Sequence, residues 1–224
     1  MYFTRSRERG CVAVCYRLNA SSLTLEMELP SQPVYVMIPS PNESIESDRL
    51  VLRPIRDSDA LALLAIRSRP EVAKTNYPKE PFKSVEQTRE WMSSKVFLEG
   101  PADIIGRSFN FAILDKSIPE SEEQLIGYVS VNTIDPCPEI GYSLLPESWG
   151  KGYATEAVGM MLKKWWGLPR RNTDDFNGSE EKIYAICEKS NIGSSTVLRK
   201  CGFQVESDFC FGSDELFVWA LKKP

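Results

Sequence analysis

The chain of 224 residues is 42% hydrophobic and 26% charged, which is typical of a globular protein with one sizeable core and excludes a fibrous or disordered chain. Its net charge of −4 argues against nucleic acid or an anionic membrane as a partner, and no segment approaches the length of a membrane span. Histidine is absent, so histidine-based nucleophilic pairs and histidine-containing zinc sites are excluded, and proton transfer must use other side chains or water.

The cysteines and the N-terminal residues indicate where the protein works. The six cysteines form no Cys-x-x-Cys pair, so reduced thiols in a cytoplasmic protein are the simplest interpretation. Residues 1–18 place arginines before a short apolar stretch, which leaves an organellar presequence as the alternative. Residues 30–47 are rich in proline and serine, which is typical of a linker. We therefore expect a partly extended or disordered arm over residues 1–46 and a domain over residues 47–224.

The domain opens with patterns that predict one strand and two helices. Alternating apolar residues predict a strand over 49–55, and a helical period predicts a helix over 56–68. A second helix is predicted over 84–99, because Ser84 and Gln87 have the spacing of a capping box.

Three strand-like runs follow, over residues 108–115, 124–134 and 138–145, and the short polar separators between them predict an antiparallel meander. The remaining predicted elements are a helix over 153–168, a polar loop over 171–181, a strand over 182–188, a short helix over 191–202, and strands over 203–209 and 214–221. This alternation of periods places the chain in the α/β (α+β) class.

The stretch LPESWGKGYATEA, residues 145–157, places two glycines directly before a predicted helix. It is not a Walker A loop, because Tyr153 follows Gly152, and it lacks the third glycine of a dinucleotide fingerprint. Backbone N–H groups that lead into a helix N-terminus suit a pyrophosphate. The alternative is a tight turn in which Gly150 and Gly152 only provide unusual backbone angles.

The segments EIGYSLLPESWGKGYATEA and NIGSSTVLRKCGF together resemble the GNAT superfamily of acetyl-coenzyme A dependent N-acetyltransferases, especially the branch of ribosomal-protein N-terminal acetyltransferases. The resemblance covers roughly residues 47–221. It implies a mixed, mostly antiparallel central sheet flanked by helices, in which a splayed parallel strand pair forms the acetyl-CoA cleft. It also implies an acyltransferase, monomer or homodimer, that uses acetyl-CoA and no metal.

The resemblance assigns coenzyme-binding residues to this chain. The family's pyrophosphate signature falls on a run of six residues: Trp149, Gly150, Lys151, Gly152, Tyr153 and Ala154. Trp149 departs from the glutamine or arginine of the signature, which implies that the indole packs or donates through its N–H. The preceding strand is implied to pair its backbone with the pantetheine at Tyr142, Leu144 and Leu145. Asn191 is implied to reach the coenzyme arm, with helix capping as the alternative.

Aminolysis of a thioester requires a base for the amine and a proton for the thiolate. We expect Glu139 to be the base, directly or through water, with an ordinary charged strand end as the alternative. Alternation places Glu139 on the same strand face as Gly141 and Ser143. Many family members carry a tyrosine general acid where this chain has Leu198, which cannot donate a proton. Ser194 is the replacement that we favour, although a thiolate also leaves unaided near neutral pH.

The acceptor stays open at this level. The resemblance implies that residues 74–84 face it, and a protein N-terminus or an amine-bearing small molecule, such as a polyamine or an antibiotic, would suit direct attack on acetyl-CoA in a ternary complex. A second hypothesis is a coenzyme-A-binding regulatory or interaction module with little catalytic activity, which Leu198 permits.

Overall fold

The computed structural model describes residues 36–40, 42–119, 124–171 and 181–224. In these ranges the strands are β1 (Ile45–Glu46), β2 (Leu50–Pro54), β3 (Phe109–Asp115), β4 (Leu125–Thr133), β5 (Glu139–Leu144), β6 (Lys182–Glu188), β7 (Gln204–Phe211) and β8 (Asp214–Lys222). The α-helices are α1 (Ala60–Arg67), α2 (Pro70–Ala73), α3 (Val85–Ser93), α4 (Tyr153–Gly167) and α5 (Ile192–Lys200).

All of these strands join one sheet in the order β1-β2-β3-β4-β5-β6-β8-β7. Neighbouring strands are antiparallel except β5 and β6, which are parallel. The predicted meander is β3, β4 and β5, and the mixed, mostly antiparallel sheet confirms the predicted fold class. No helix in the described part of the chain is long and apolar enough to cross a membrane.

The sheet is covered on both faces because its strands alternate apolar side chains toward two separate cores. One core packs α4 and α5 against the sheet and contains the fully buried Trp165, whose ring centroid lies 5.3 Å from that of Phe109. The other packs α1, α2 and α3 against the opposite face, with Trp91 4.8 Å from the Tyr128 ring. β5 lies in the middle of the sheet, so its two faces point into different layers.

The helix α3 is shorter than the predicted span of 84–99. Its predicted cap is present, since the Ser84 hydroxyl accepts a 3.2 Å hydrogen bond from the Gln87 N–H. The helix ends at Ser93, where two consecutive serines bond back to carbonyls of the preceding turn: Ser93 to Arg89 at 2.9 Å and Ser94 to Trp91 at 2.6 Å. Such back-bonding weakens a helix, and the residues from 94 to 108 form turns and loops before β3.

The packed part of the chain begins before the predicted boundary at residue 47. Val36 and Ile38 are 1% and 5% exposed and belong to the core beneath α4. Val36 also forms an antiparallel bridge with Arg170, and the Met37 N–H donates to the Pro169 carbonyl at 2.9 Å. Residues 1–35 of the predicted arm, and 172–180 of the predicted polar loop, lie outside the described residues.

Candidate active site

β5 and β6 pair over a very short distance. Their parallel register contains only Glu139 opposite Tyr184 and Ile140 opposite Ala185. β5 then continues to Leu144 paired with β4 alone. The two strands therefore separate beyond Ile140, which leaves an opening in the middle of the sheet with Glu139 at its closed end.

The β4–β5 register determines which backbone groups face this opening. The Leu145 N–H donates to the Ile126 carbonyl at 2.8 Å, and its carbonyl accepts from the Ser148 N–H at 2.9 Å. Because antiparallel residues alternate in direction, Tyr142 and Leu144 direct their backbone groups away from β4 and toward the opening. Of the three predicted strand contacts, Tyr142 and Leu144 share one orientation. The backbone groups of Leu145 are used within the fold, and the Leu144 carbonyl accepts from the Trp149 indole, so Leu144 has its N–H directed toward the opening.

The glycine turn has a backbone that only glycine adopts without strain. Gly150 and Gly152 have φ values of 74° and 82°, in the left-handed region. Gly152 is the N-cap of α4 and provides no side chain, so the first amides of the helix are left without a side-chain cap. The indole Nε1 of Trp149 donates at 2.9 Å to the carbonyl of Leu144, which ties the turn to the end of β5.

Sequence reasoning missed Arg49, which lies against the turn from the start of β2. Its Nη1 donates to the Lys151 carbonyl at 3.0 Å, its Nε donates to Glu156 at 2.8 Å, and its guanidinium lies 4.8 Å from the centre of the Tyr153 ring. Tyr153 and Ala154 open α4 and pack on the core, while Lys151 is exposed. No local pattern indicates Arg49, because its distance to the turn is set by the packing of β2 on α4.

Glu139 is 7% exposed although it carries a carboxyl group. Burial raises the pKa of this carboxyl to about 7, and the positive charge of Lys95 opposes that rise. Because Lys95 follows α3 and Glu139 begins β5, their proximity depends on the packing of that helix on the sheet. The carboxyl group is thus held near the midpoint of its titration at neutral pH.

A bulge in β4 builds the wall beside Glu139. The register shifts between Val131 and Thr133, which leaves Asn132 as the extra residue. The Asn132 Oδ1 accepts from Lys95 Nζ at 2.7 Å and from the Ser130 hydroxyl at 2.8 Å. A Cβ atom at Gly141 would lie 2.4 Å from Asn132 Nδ2, so a larger residue there would displace the Asn132 side chain.

On the other side of the opening, α5 presents Asn191 and Ser194. The Asn191 side chain caps the helix by accepting from the Ser194 N–H at 3.0 Å. The Ser194 carbonyl accepts a 3.3 Å hydrogen bond from the Tyr142 hydroxyl. Burial raises the pKa of Tyr142, so this phenol keeps its proton. Leu198, one turn further along α5, is 1% exposed.

A cavity of about 130 Å³ joins the two sides. Glu139, Tyr142, Asn191 and Ser194 all line it, together with Leu198. Residues 144–154 do not line it, so the predicted coenzyme residues divide between the cavity and the glycine turn. Within the described ranges, no cluster of three or more cysteine, aspartate or glutamate side chains is arranged to hold a metal ion.

The segment predicted to face the acceptor borders this cavity through residues 75–77. The Tyr77 hydroxyl donates to Asp214 at 2.5 Å, and Lys79 forms ion pairs with Glu188 at 2.7 Å and with Asp214 at 2.6 Å. Burial and the bond to Asp214 raise the pKa of Tyr77 to about 12. These contacts connect the segment to the ends of β6 and β8 and form one wall of the cavity.

Comparison with known proteins identifies a matching family, a relative and similar solved structures. Residues 49–204 match the acetyltransferase (GNAT) domain family. A relative from Bacillus licheniformis, named an uncharacterized N-acetyltransferase p20, is 34% identical over 170 residues, which are 73% of this chain and 84% of the relative.

Two solved structures share the fold. A GNAT-family acetyltransferase from Bacillus anthracis has a TM-score of 0.61 at 24% identity and covers 81% of this chain and 99% of its own. RimL, a ribosomal alpha-N-protein acetyltransferase in complex with coenzyme A, has a TM-score of 0.62 at 19% identity and covers 80% of this chain and 98% of its own.

Proposed function

Since this chain belongs to the GNAT acetyltransferase family, we propose that it transfers the acetyl group of acetyl-CoA to a primary amine by direct attack in a ternary complex. The observation that carries this proposal is the opening between β5 and β6, with a buried carboxyl group at its closed end. The acceptor is a small-molecule amine or a protein N-terminus. The protein is proposed to work in the cytoplasm, as the scattered cysteines favour.

The residues around the opening fit acetyl-CoA. The backbone groups of Tyr142 and the N–H of Leu144 face the place where the next strand would be, so they suit pairing with the pantetheine amides, while the Leu144 carbonyl holds the Trp149 indole. The left-handed turn from Gly150 to Gly152 and the uncapped start of α4 suit the pyrophosphate, and Lys151 adds positive charge there. When bound, the coenzyme supplies an activated thioester carbonyl.

Glu139 is proposed to accept the proton of the amine, directly or through water. An ammonium group has no lone pair for attack, so a base is required. A carboxyl with a pKa of about 7 accepts a proton more readily than an ordinary glutamate and is still ionised in part at neutral pH.

Two residues with a hydroxyl group, Tyr142 and Ser194, line the cavity and are the candidates to donate to the departing thiolate. Ser194 lines the cavity and is proposed to protonate or hydrogen-bond the sulfur. The Tyr142 phenol also lines the cavity and keeps its proton. That proton is donated to the Ser194 carbonyl over 3.3 Å, so the phenol serves as a second donor only when it turns from that carbonyl toward the sulfur.

Leu198 keeps a second candidate function under consideration. It lines the cavity where the family pattern places a tyrosine, and it is almost fully buried, so no side chain there donates a proton. A coenzyme-A-binding regulatory or interaction module with little activity would retain the opening and the glycine turn while losing turnover.

The experiment that tests the proposal measures thiol release from acetyl-CoA with a library of primary amines, beside coenzyme binding by calorimetry. We expect turnover with at least one amine class and a loss of about 10²–10⁴-fold in kcat/KM for Glu139→Gln, with unchanged coenzyme affinity. Glu90→Gln, an exposed carboxyl on α3, is the matched control. Tight coenzyme binding without turnover for any amine would favour the regulatory module.

A further inference from the structure

A buried cation lines the acceptor side of the cavity. Arg67, the last residue of α1, is 1% exposed. Its guanidinium carbon lies 4.4 Å from the centre of the Phe82 ring and 5.7 Å from that of Trp91, and its Nη2 donates to the Tyr77 carbonyl at 3.3 Å. Its Nε has no hydrogen-bond partner. The guanidinium therefore has one long hydrogen bond for its five N–H donors.

The charge of Arg67 is not matched by an acid. No carboxylate in the described ranges forms an ion pair with it, whereas the neighbouring Arg53 and Arg69 both form one. The other charged groups that line the cavity are Glu139 and Lys95, which have opposite signs, and Glu188, which pairs with Lys79. The charges of Lys95 and Glu139 offset each other, so the positive charge of Arg67 is left without a negative charge inside the cavity, and a bound anion would balance it.

The rings of Phe82 and Trp91 offset part of the desolvation of the guanidinium. The rings do not provide the in-plane oxygen acceptors that a guanidinium prefers, so Nε and most of the other N–H donors of Arg67 still lack such an acceptor. A buried guanidinium binds a planar carboxylate through two parallel hydrogen bonds, and such a pair is stronger than a bond to a neutral carbonyl.

We propose that Arg67 binds a carboxylate of the acceptor, so that the acceptor is an amino acid or another small amine that carries a carboxyl group. This inference rests on the proposed acetyl transfer. The cavity then receives the amine at Glu139 and the carboxylate at Arg67. A polyamine is disfavoured because it would add positive charge beside a cation that is already unpaired, and an amide carbonyl would leave that charge uncompensated.

Matched acceptor pairs test this assignment. Free amino acids and their carboxamides have the same amine and side chain, and they differ in the carboxylate. The amine of an amide loses its proton more easily, so intrinsic reactivity at neutral pH favours the amides. We expect the enzyme to reverse this order, with kcat/KM at least tenfold higher for the acid of the best pair.

A variant then assigns the preference to Arg67. Arg67→Met keeps an unbranched apolar stem and removes the charged guanidinium, and we expect the acid-to-amide ratio to fall at least tenfold, mainly through KM for the acid. Arg89→Met, an exposed arginine on α3, is the control and should keep the ratio of the parent. The parent comparison decides the question even if Arg67→Met does not fold.

The outcome is distinguishable from failure of the proposed function. Amides acetylated as well as acids by the parent would overturn the carboxylate assignment and leave acetyl transfer intact. If no amine is acetylated, calorimetry with N-acetylalanine and N-acetylalanine amide still tests the site. Binding of the acid alone would support Arg67 as a carboxylate site, and equal affinity or no binding would overturn it.

Discussion

The ammonium group of Lys95 donates a 2.7 Å hydrogen bond to Oδ1 of Asn132, which holds a positive charge at the wall beside Glu139. Lys95 is only 8% exposed, and the bulge in β4 fixes the asparagine that binds it. The carboxyl group of Glu139 thus experiences two opposed effects: burial favours its neutral form, and the nearby cation favours its charged form. The balance sets the pH at which the proposed base becomes available.

The pH dependence of the parent enzyme should show this balance. Only the ionised carboxylate accepts a proton, so kcat/KM should rise about tenfold per pH unit below pH 7 and lose that dependence above the pKa of about 7. In Glu139→Gln this inflection should be absent, while the inflection from the amine substrate itself remains. A profile of the same shape in both proteins would remove Glu139 from the mechanism.

Lys95→Met should move the inflection to higher pH. Removal of the cation leaves the buried carboxylate without its nearby positive charge, so the pKa of Glu139 rises further. The kcat/KM at pH 6 should fall more than the kcat/KM at pH 9. Lys83→Met is the control, because Lys83 is exposed and precedes α3, whereas Lys95 follows that helix. An inflection that stays at its parent position would show that Lys95 acts only in packing.

Gly152→Val should weaken acetyl-CoA binding at least tenfold while the fold persists. The φ of 82° strains any β-branched residue by about 1–3 kcal/mol, and the side chain would lie over the proposed pyrophosphate site, close to Arg49. Gly106→Val has the same φ of 82° in open space, so it provides matched strain far from the turn. If calorimetry gives both variants the affinity of the parent, the pyrophosphate binds elsewhere.

Ser194→Ala should cost less than Glu139→Gln, on the order of tenfold or below in kcat. A thiolate leaves with little help, since free thiols titrate near 8.5, and the deficit should shrink as the pH rises toward that value. Thr196→Ala, on the exposed face of α5, is the control. A deficit that equals that of Glu139→Gln at every pH would show that Ser194 does more than assist the thiolate.

Much of the fold follows from local patterns. The meander of β3, β4 and β5 and the helix α4 carry regular periods and clear turn residues, so their presence was predictable. The end of α3 was not, because it depends on the back-bonding of Ser93 and Ser94 rather than on the apolar stripe that continues to Val96. Periodicity indicates which face of a segment is apolar, but it does not determine where the backbone leaves the helix.

Residues of the site were predictable only where they lie within a local sequence motif. Glu139 and Ser194 each lie in a segment with a motif, and the structure brings both to one cavity. Lys95, Arg49 and Arg67 reach the site through a strand bulge, a strand–helix contact and a helix end, which are tertiary relations between distant segments. No spacing in the sequence encodes those relations, so these residues emerge only with the fold.

The N-terminal boundary provides a prediction about stability. A chain that begins at residue 36 should keep the parent's melting temperature, because it retains Val36 and Ile38 in the core. A chain that begins at residue 44 loses both side chains and the hydrogen bond to Pro169. At about 1.5–3 kcal/mol for each buried aliphatic side chain, the loss is about 3–6 kcal/mol, a large part of the stability of a typical domain.

Thermal unfolding and acetyl-CoA binding of the two truncated chains, beside the full chain with Val36→Ser and Ile38→Ser, measure this contribution. The double variant keeps the length of the chain, so it separates the loss of apolar packing from the loss of the segment. We expect the double variant to unfold at a temperature close to that of the chain that begins at residue 44. If the chain that begins at residue 44 is as stable as the parent, the bridge between Val36 and Arg170 contributes nothing, and the domain begins near the predicted residue 47.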